Sequence, residues 1–143
     1  MGVALGILLR PATYFSPYQS GGLVAKGPLD LALNTQLASM RYVGKGPRIG
    51  ISFRNKAGHD CRTFSFNNSS GLACHENGAW VIGLLVKNPT ENSGAAYQMA
   101  GSTMPKALRQ AVRASITGSP FDASAEEEAR DRGWSAHSKD KHE

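Results

Sequence analysis

The stretch HDCRTFSFNNSSGLACHENG, residues 59–78, contains both cysteines of the chain and two of its four histidines. Residues 61–66 alternate charged or aromatic side chains with small ones, which predicts a β-strand, and residues 71–75 predict a second. Asn67 and Asn68 lie between them, and asparagine tolerates the positive φ of a tight turn. The stretch therefore predicts an antiparallel hairpin.

The register of this hairpin decides where the two cysteines lie. Counting outward from a turn at the two asparagines places Phe66 opposite Ser69, and it therefore places Cys61 opposite Cys74. Directly opposed residues in a non-hydrogen-bonded pair have Cα atoms about 4.5 Å apart, which is close enough for a disulfide. Turn chemistry thus predicts a Cys61–Cys74 disulfide, and a disulfide implies an oxidising compartment such as a periplasm.

Other interpretations of the same residues remain open. His59, Cys61, Cys74 and His75 are four potential zinc ligands, although the last two are neighbours on a strand and leave it on opposite faces. A nucleophilic Cys/His pair would need a free thiol and an orienting Asp or Asn, for which the sequence offers no evident candidate. Reduced, inert thiols are the remaining alternative.

Length and composition indicate the size of the domain that contains the hairpin. The chain has 143 residues, enough for one domain with a modest core, and its 41% apolar content is typical of a globular protein. Sixteen glycines and seven prolines indicate many turns between few regular elements. No repeat recurs along the chain.

More strands are predicted on both sides of the hairpin. Residues 48–54 alternate apolar and polar side chains, and residues 79–86 are apolar on both faces, as in a central strand. Asn77-Gly78 joins the latter to the hairpin and is the strongest short hairpin signal. Residues 96–100 are predicted to add a short edge strand. The result is an antiparallel sheet of four to five strands.

Helices are predicted before and after the sheet. Residues 28–41 carry leucines at helical spacing with a proline in the first turn, and residues 104–117 repeat this pattern. Residues 122–132 predict a third helix that Asp122 caps. One helix before the sheet and two after it make the predicted fold α+β.

The N-terminal residues allow three interpretations. Residues 1–10 are mostly apolar and are followed by Pro11, so they are a terminal strand or helix, an ill-formed signal, or the outer end of a membrane helix. Residues 11–27 are predicted to be a linker, residues 28–134 a single domain, and residues 135–143 a disordered tail.

Charge is distributed unevenly along the sequence. Residues 1–120 contain twelve Lys/Arg against four Asp/Glu, and residues 121–143 contain four against seven. The basic residues form no dense block and alternate with no aromatic residues, so nucleic-acid binding is not predicted. There is no phosphate loop, no paired carboxylates on the sheet and no nucleophile motif. We therefore expect no cofactor, no metal ion and no enzymatic activity.

The last predicted helix has a thin apolar face made of alanines, so we expect it to pack weakly and to be the part that moves or is recognised. Glu126 and Arg130 are four residues apart on this helix and support each other. Phe121 and Trp134 flank it as anchors. These four residues are the predicted partner surface.

Several segments together resemble a known family. They are GISFRNKAGHDCRTFSF, GLACHENGAWVIGLL, YQMAGSTMPKALRQAV and ASAEEEARDRGW. Their order resembles the region C-terminal to the membrane helix in proteobacterial transmembrane anti-sigma factors. The resemblance covers residues 3–134, with residues 3–9 matching the end of the membrane helix. The cytosolic sigma-binding segment of such proteins, often a zinc-binding unit with a His-x3-Cys-x2-Cys pattern, is absent from this sequence.

The resemblance implies a non-enzymatic sensor or scaffold domain in the periplasm, tethered to the inner membrane and regulating transcription in a stress response. It also implies a protein partner in the envelope, with a sigma factor bound only through the absent cytosolic segment. The alternative is a free-standing periplasmic or secreted binding protein.

Overall fold

The computed structural model describes residues 13–18, 21–40, 46–88 and 104–135. Across these ranges the chain forms one antiparallel sheet of seven strands with three helices, which confirms the predicted α+β class. The strands are β1 (Phe15–Pro17), β2 (Leu23–Ala25), β3 (Arg48–Asn55), β4 (Asp60–Phe66), β5 (Ser69–Glu76), β6 (Ala79–Lys87) and β7 (Ile116–Thr117). The helices are α1 (Gly27–Thr35), α2 (Lys106–Ser115) and α3 (Ala123–Asp131). The strand order is β1-β2-β6-β5-β4-β3-β7.

The central hairpin has the predicted register. Phe66 lies opposite Ser69 and Cys61 opposite Cys74, with every intervening pair in step. Asn67 has a φ of 51°, the left-handed conformation that asparagine tolerates better than most residues. Turn geometry and strand pairing therefore agree along the whole of β4 and β5.

Helices cover both faces of the sheet. Strand side chains alternate between the faces, and each face carries apolar side chains that pack against a helix. One core contains Leu29 and Leu33 of α1 and Ala129 of α3, packed with Phe64 and Trp80 from the sheet. We call this side the α1/α3 face. The other core joins side chains of β3, β4 and β5 to two residues of α2, and we call it the α2 face. Its buried members are Phe53, Cys61, Leu72, Leu108 and Val112.

Strands β1 and β2 correct the prediction that residues 11–27 are a linker. Gly21 and Gly22 lie at the turn between two short strands, where the Tyr18 N–H donates to the Gly22 carbonyl. Apolar side chains hold the hairpin in place, and the Tyr14 ring stacks 4.5 Å from that of Phe66. β2 occupies the position beside β6, which it meets at Val24 and Val81. The predicted strand 96–100 lies outside the described residues.

Helix boundaries differ from the prediction by a few residues. α1 ends at Thr35 rather than near residue 41, because the Gln36 side chain turns toward the next strand and bonds the Pro47 carbonyl and the Ile49 N–H. α2 stops at Ser115, and the following residues pair with β3 as β7. The cap of α3 is as predicted, since Asp122 accepts a hydrogen bond from the Ala125 N–H at 2.8 Å.

Residues 1–10 and 136–143, which include the predicted membrane-helix end and most of the predicted tail, lie outside the described part. Among the helices that are described, none has the length and the apolar character needed to cross a membrane.

Candidate functional site

The two cysteines form the predicted disulfide across β4 and β5, with their Cα atoms 3.9 Å apart. Cys61 is fully buried and Cys74 half-buried, and both lie on the α2 face near Leu108. Because both sulfurs are bonded, neither a thiolate nucleophile nor a zinc thiolate site is present in this state. Within the described ranges no group of three or more His, Cys, Asp or Glu side chains is placed to hold a metal ion.

His75 is separated from the disulfide by the sheet. It lies on the α1/α3 face, where its ring meets the edge of Trp80 at 4.9 Å between centroids. Burial lowers the pKa of His75, and the nearby carboxylate of Asp60 partly offsets that shift. The half-buried imidazole, packed against Trp80, therefore resists protonation.

The predicted partner surface is wrong for two of its four residues. Glu126 and Trp134 are only 2% and 1% exposed, so neither is available to a partner. Arg130 and Phe121 are half-buried, Arg130 beside the end of α1 and Phe121 under the guanidinium of Arg54. The four residues do not form one surface.

Glu126 is buried against Arg62 of β4, with which it forms an ion pair. The Arg62 guanidinium donates to the Glu126 carboxylate at 2.7 Å, and both side chains are almost fully shielded from water. The Ser52 hydroxyl donates to the same carboxylate oxygen at 2.7 Å, and the Ala38 N–H donates to the other at 2.9 Å. The buried ion pair therefore has hydrogen bonds on every side, which is the condition for such a pair to be tolerated in a core.

Arg62 also caps α1. Its guanidinium donates to the Leu33 carbonyl at 2.7 Å and to the Gln36 carbonyl at 2.6 Å. Carbonyls at a helix C-terminus lack partners within the helix and favour a cation. One buried guanidinium therefore joins α1, the sheet and α3.

Trp134 completes this arrangement. Its ring lies 4.3 Å from the Arg62 guanidinium carbon, and its indole N–H donates to the Asn34 carbonyl at 3.0 Å. Its φ of 61° is unusual for a bulky side chain and is maintained by this docking. We call Arg62, Glu126, Ser52 and Trp134 the Arg62 network.

A second charged cluster fastens the end of α3. Asp60 is 3% exposed and accepts hydrogen bonds from Arg54 at 3.4 Å and from Arg132 at 3.3 Å. Burial raises the pKa of Asp60, and the two arginines offset only part of that shift. Arg132 follows α3 directly, so the cluster holds the C-terminal turn against the sheet.

The described residues also enclose a pocket of about 280 Å³. It lies between the segment after α1, the strands β3 to β5 and the start of α2. Its lining is Gln36, Leu37, Ala38, Met40, Arg48, Ile49, Gly50, Thr63, Phe64, Ser65, Ser70, Met104 and Leu108.

Many polar groups of this lining are already used within the protein. Gln36 bonds the backbone before and within β3, Thr63 accepts from the Ile51 N–H, and the Ser70 hydroxyl bonds Asn88. Much of the rest is apolar and includes two methionines, whose flexible side chains adapt to irregular ligands. The exposed surface of the lining is more polar than apolar and includes the Arg48 side chain, but it contains no carboxylate, imidazole or thiol.

Sequence reasoning found the disulfide but missed the pocket and the Arg62 network, because both depend on contacts between distant parts of the chain. The chain matches no family model, no curated protein and no solved structure at a significant level.

Proposed function

We propose that this chain is a non-enzymatic extracytoplasmic sensor or scaffold domain of a membrane-anchored anti-sigma factor. The observation that carries the proposal is the Cys61–Cys74 disulfide in the core of the α2 face. Protein disulfides persist in oxidising compartments and are rare in the cytosol. The order of segments that resembles the anti-sigma family supports the same compartment from an independent direction.

The pocket is the proposed place where a signal is received. It lies between the segment after α1, the strands β3 to β5 and the start of α2, so a group bound there would contact the first turn of α2 and the residues that follow α1. α3 adjoins the pocket only through the Ala38 N–H, which donates to Glu126, and the Arg62 network holds this helix in place. In this proposal a side chain of an envelope protein, or a small ligand, enters the pocket and alters how α2 packs.

A free-standing periplasmic binding protein is the second candidate, and the pocket favours it equally. The two candidates differ in what the complete gene product contains. A cytosolic sigma-binding domain and a membrane helix before this domain support the first, whereas a cleaved signal supports the second.

The test uses the complete gene product in cells. Alkaline phosphatase, which folds actively only outside the cytosol, is fused after residue 143, and activity is expected. A reporter for sigma-dependent transcription is then read in an Ala38→Trp variant, which fills the pocket from an exposed position. An Ala57→Trp variant, also exposed but in a turn away from the pocket, is the matched control.

The expected result is a changed reporter response in Ala38→Trp and an unchanged one in Ala57→Trp. Absence of phosphatase activity would refute the extracytoplasmic location. An active fusion with equal reporter responses in both variants would refute the pocket as the sensing site.

A further inference from the structure

The exposed side of α2 carries a stripe of positive charge. Lys106, Arg109 and Arg113 are spaced three and four residues apart, so they share one side of the helix. This side points away from the sheet, since Leu108 and Val112 on the other side are buried in the core. The helix sequence KALRQAVRAS contains no acidic residue to balance the charge.

Among the described residues these cations have no acidic partners. Each ion pair found among the described residues involves Arg54, Arg62, Arg130 or Arg132, and none involves α2. Within the described part of the chain, the Arg109 guanidinium donates to the Met104 carbonyl and pairs with no carboxylate. We call Lys106, Arg109 and Arg113 the α2 stripe.

Helix stability explains only part of this arrangement. Arg113 lies in the last turn, where a cation is favourable, but Lys106 lies in the first turn, where a cation opposes the helix dipole. The other two helices follow the dipole, with Asp30 in the first turn of α1 and Asp122 at the cap of α3. Lys106 is therefore a charge that the fold itself does not favour.

The opposite side of the domain is acidic. α3 and its cap carry four exposed carboxylates, Asp122, Glu127, Glu128 and Asp131. One carboxylate is an exception, because strand alternation places Glu76, at the end of β5, on the same side of the sheet as α2. The domain therefore presents a basic helix on one face and an acidic helix on the other, which orients it in an electric field.

We propose that the α2 stripe binds the surface of an anionic lipid bilayer. The stripe lies on the outer side of a helix and contains no aromatic residue, and the pocket found among the described residues meets α2 at Leu108, on the other side of the helix. Long, flexible cations suit mobile lipid headgroups, and each adds to binding at a negatively charged membrane. This inference rests on the proposed function in one respect, namely that the domain lies beside a membrane.

Vesicle binding tests the inference with the 143-residue chain. Sedimentation with vesicles containing phosphatidylglycerol is compared with sedimentation with vesicles of phosphatidylcholine alone. The Lys106→Glu/Arg113→Glu variant is compared with a Lys26→Glu/Lys87→Glu variant, which changes the net charge equally at exposed lysines outside the stripe. Both variants keep residues 1–12, so any membrane affinity of that segment cancels in the comparison.

We expect the stripe variant to bind anionic vesicles about thirtyfold or more weakly, since each basic residue near the surface contributes about a factor of five. The control variant should lose much less, and added salt should weaken wild-type binding. Amide exchange in α2 should also slow on anionic vesicles.

Equal losses in the two variants, or equal binding to both kinds of vesicle with unchanged exchange in α2, would overturn the proposal. Tighter binding to soluble polyglutamate than to anionic vesicles would overturn it in favour of an acidic protein partner. The phosphatase fusion reports location without reference to the stripe, so failure of one proposal is distinguishable from failure of the other.

Discussion

At the scale of single residues, Arg62 determines how the C-terminal part of the chain is held. It is an arginine on a strand face that it shares with Phe64 and Phe66, and it is completely buried. A buried cation is strongly unfavourable unless it is paired and hydrogen-bonded. In the structure, α1, the sheet and α3 together supply the paired carboxylate and the hydrogen bonds. The three elements therefore depend on one another at the Arg62 network.

Replacing Arg62 tests this dependence. Arg62→Met leaves the Glu126 carboxylate buried without its cation, and we expect a loss of about 3–5 kcal/mol in the free energy of unfolding. Urea denaturation measures it. Arg130→Met removes a more exposed ion pair at 3.8 Å and should cost no more than about 1 kcal/mol.

A double variant separates pairing from packing. In Arg62→Met/Glu126→Leu neither charge of this pair remains buried, so most of the lost stability should return. If the double variant is less stable than Arg62→Met, the contacts of Glu126 with Ser52 and Ala38 matter more than the ion pair does.

His75 makes stability depend on pH. Burial lowers its pKa in the folded chain below the ordinary 6.5, so at mildly acidic pH the unfolded chain binds a proton that the folded chain resists. Stability from this residue is therefore complete above pH 6.5 and is lost as the pH falls below it. Asp60, with its raised pKa, contributes with the opposite sign at lower pH, because its folded form binds the proton more readily.

The measurement is the urea midpoint at pH 7.5 and at pH 5.5. The urea midpoint of the wild-type chain should be lower at pH 5.5 than at pH 7.5. A His75→Gln variant should show a smaller decrease. An equal fall in both would place the pH dependence on other groups.

The residue scale also shows where sequence reasoning ends. The cysteine pairing was predictable because the turn and both strands lie within twenty residues. The burial of Glu126 and Trp134 was not predictable, because their hydrogen-bond partners Arg62 and Asn34 lie 64 and 100 positions away in the sequence. A thin apolar face made only of alanines suggested weak packing of α3, while a count of apolar side chains cannot detect the buried charge that holds this helix.

At the scale of elements, the β4–β5 hairpin depends on close packing at Gly71. A Cβ at this position would lie 2.5 Å from Phe64 Cζ and 2.6 Å from the Leu84 carbonyl oxygen. The first is a ring locked in the core and the second is backbone, so neither can move cheaply. Gly71 is therefore required by its surroundings, whatever its backbone conformation.

We expect Gly71→Ala to destabilise the domain by about 1–3 kcal/mol through overpacking. Gly83→Ala on the neighbouring strand is the control, because its nearest neighbour would be 3.9 Å away. Thermal unfolding followed by circular dichroism compares the two. Equal melting temperatures would show that the strands separate easily to admit a methyl group.

Element boundaries were less predictable than the elements themselves. Period-two patterns and turn residues identified β3 to β6 because those signals are local. α1 ended early because a glutamine side chain bonds backbone groups eleven and thirteen residues further on. β1 and β2 were hidden because strands of three residues are too short for alternation to be evident.

At the scale of the whole molecule, two cores on opposite faces share the four central strands. The α2 face contains the disulfide, and the α1/α3 face contains the Arg62 network. Because β4 contributes Cys61 to one and Arg62 to the other, the two cores cannot loosen independently. The domain should therefore unfold as a single cooperative unit.

Native-state hydrogen exchange tests this unity. Amides of α3 should be protected nearly as well as those of β4, because opening α3 would expose Ala129 and Trp134 and leave Arg62 without its carboxylate. In Arg62→Met the protection of α3 should fall more than that of α2, which packs on the other face. If α3 in the wild-type chain exchanges orders of magnitude faster than β4, its clamp opens on its own, and the C-terminal helix would again be the part of the domain free to move.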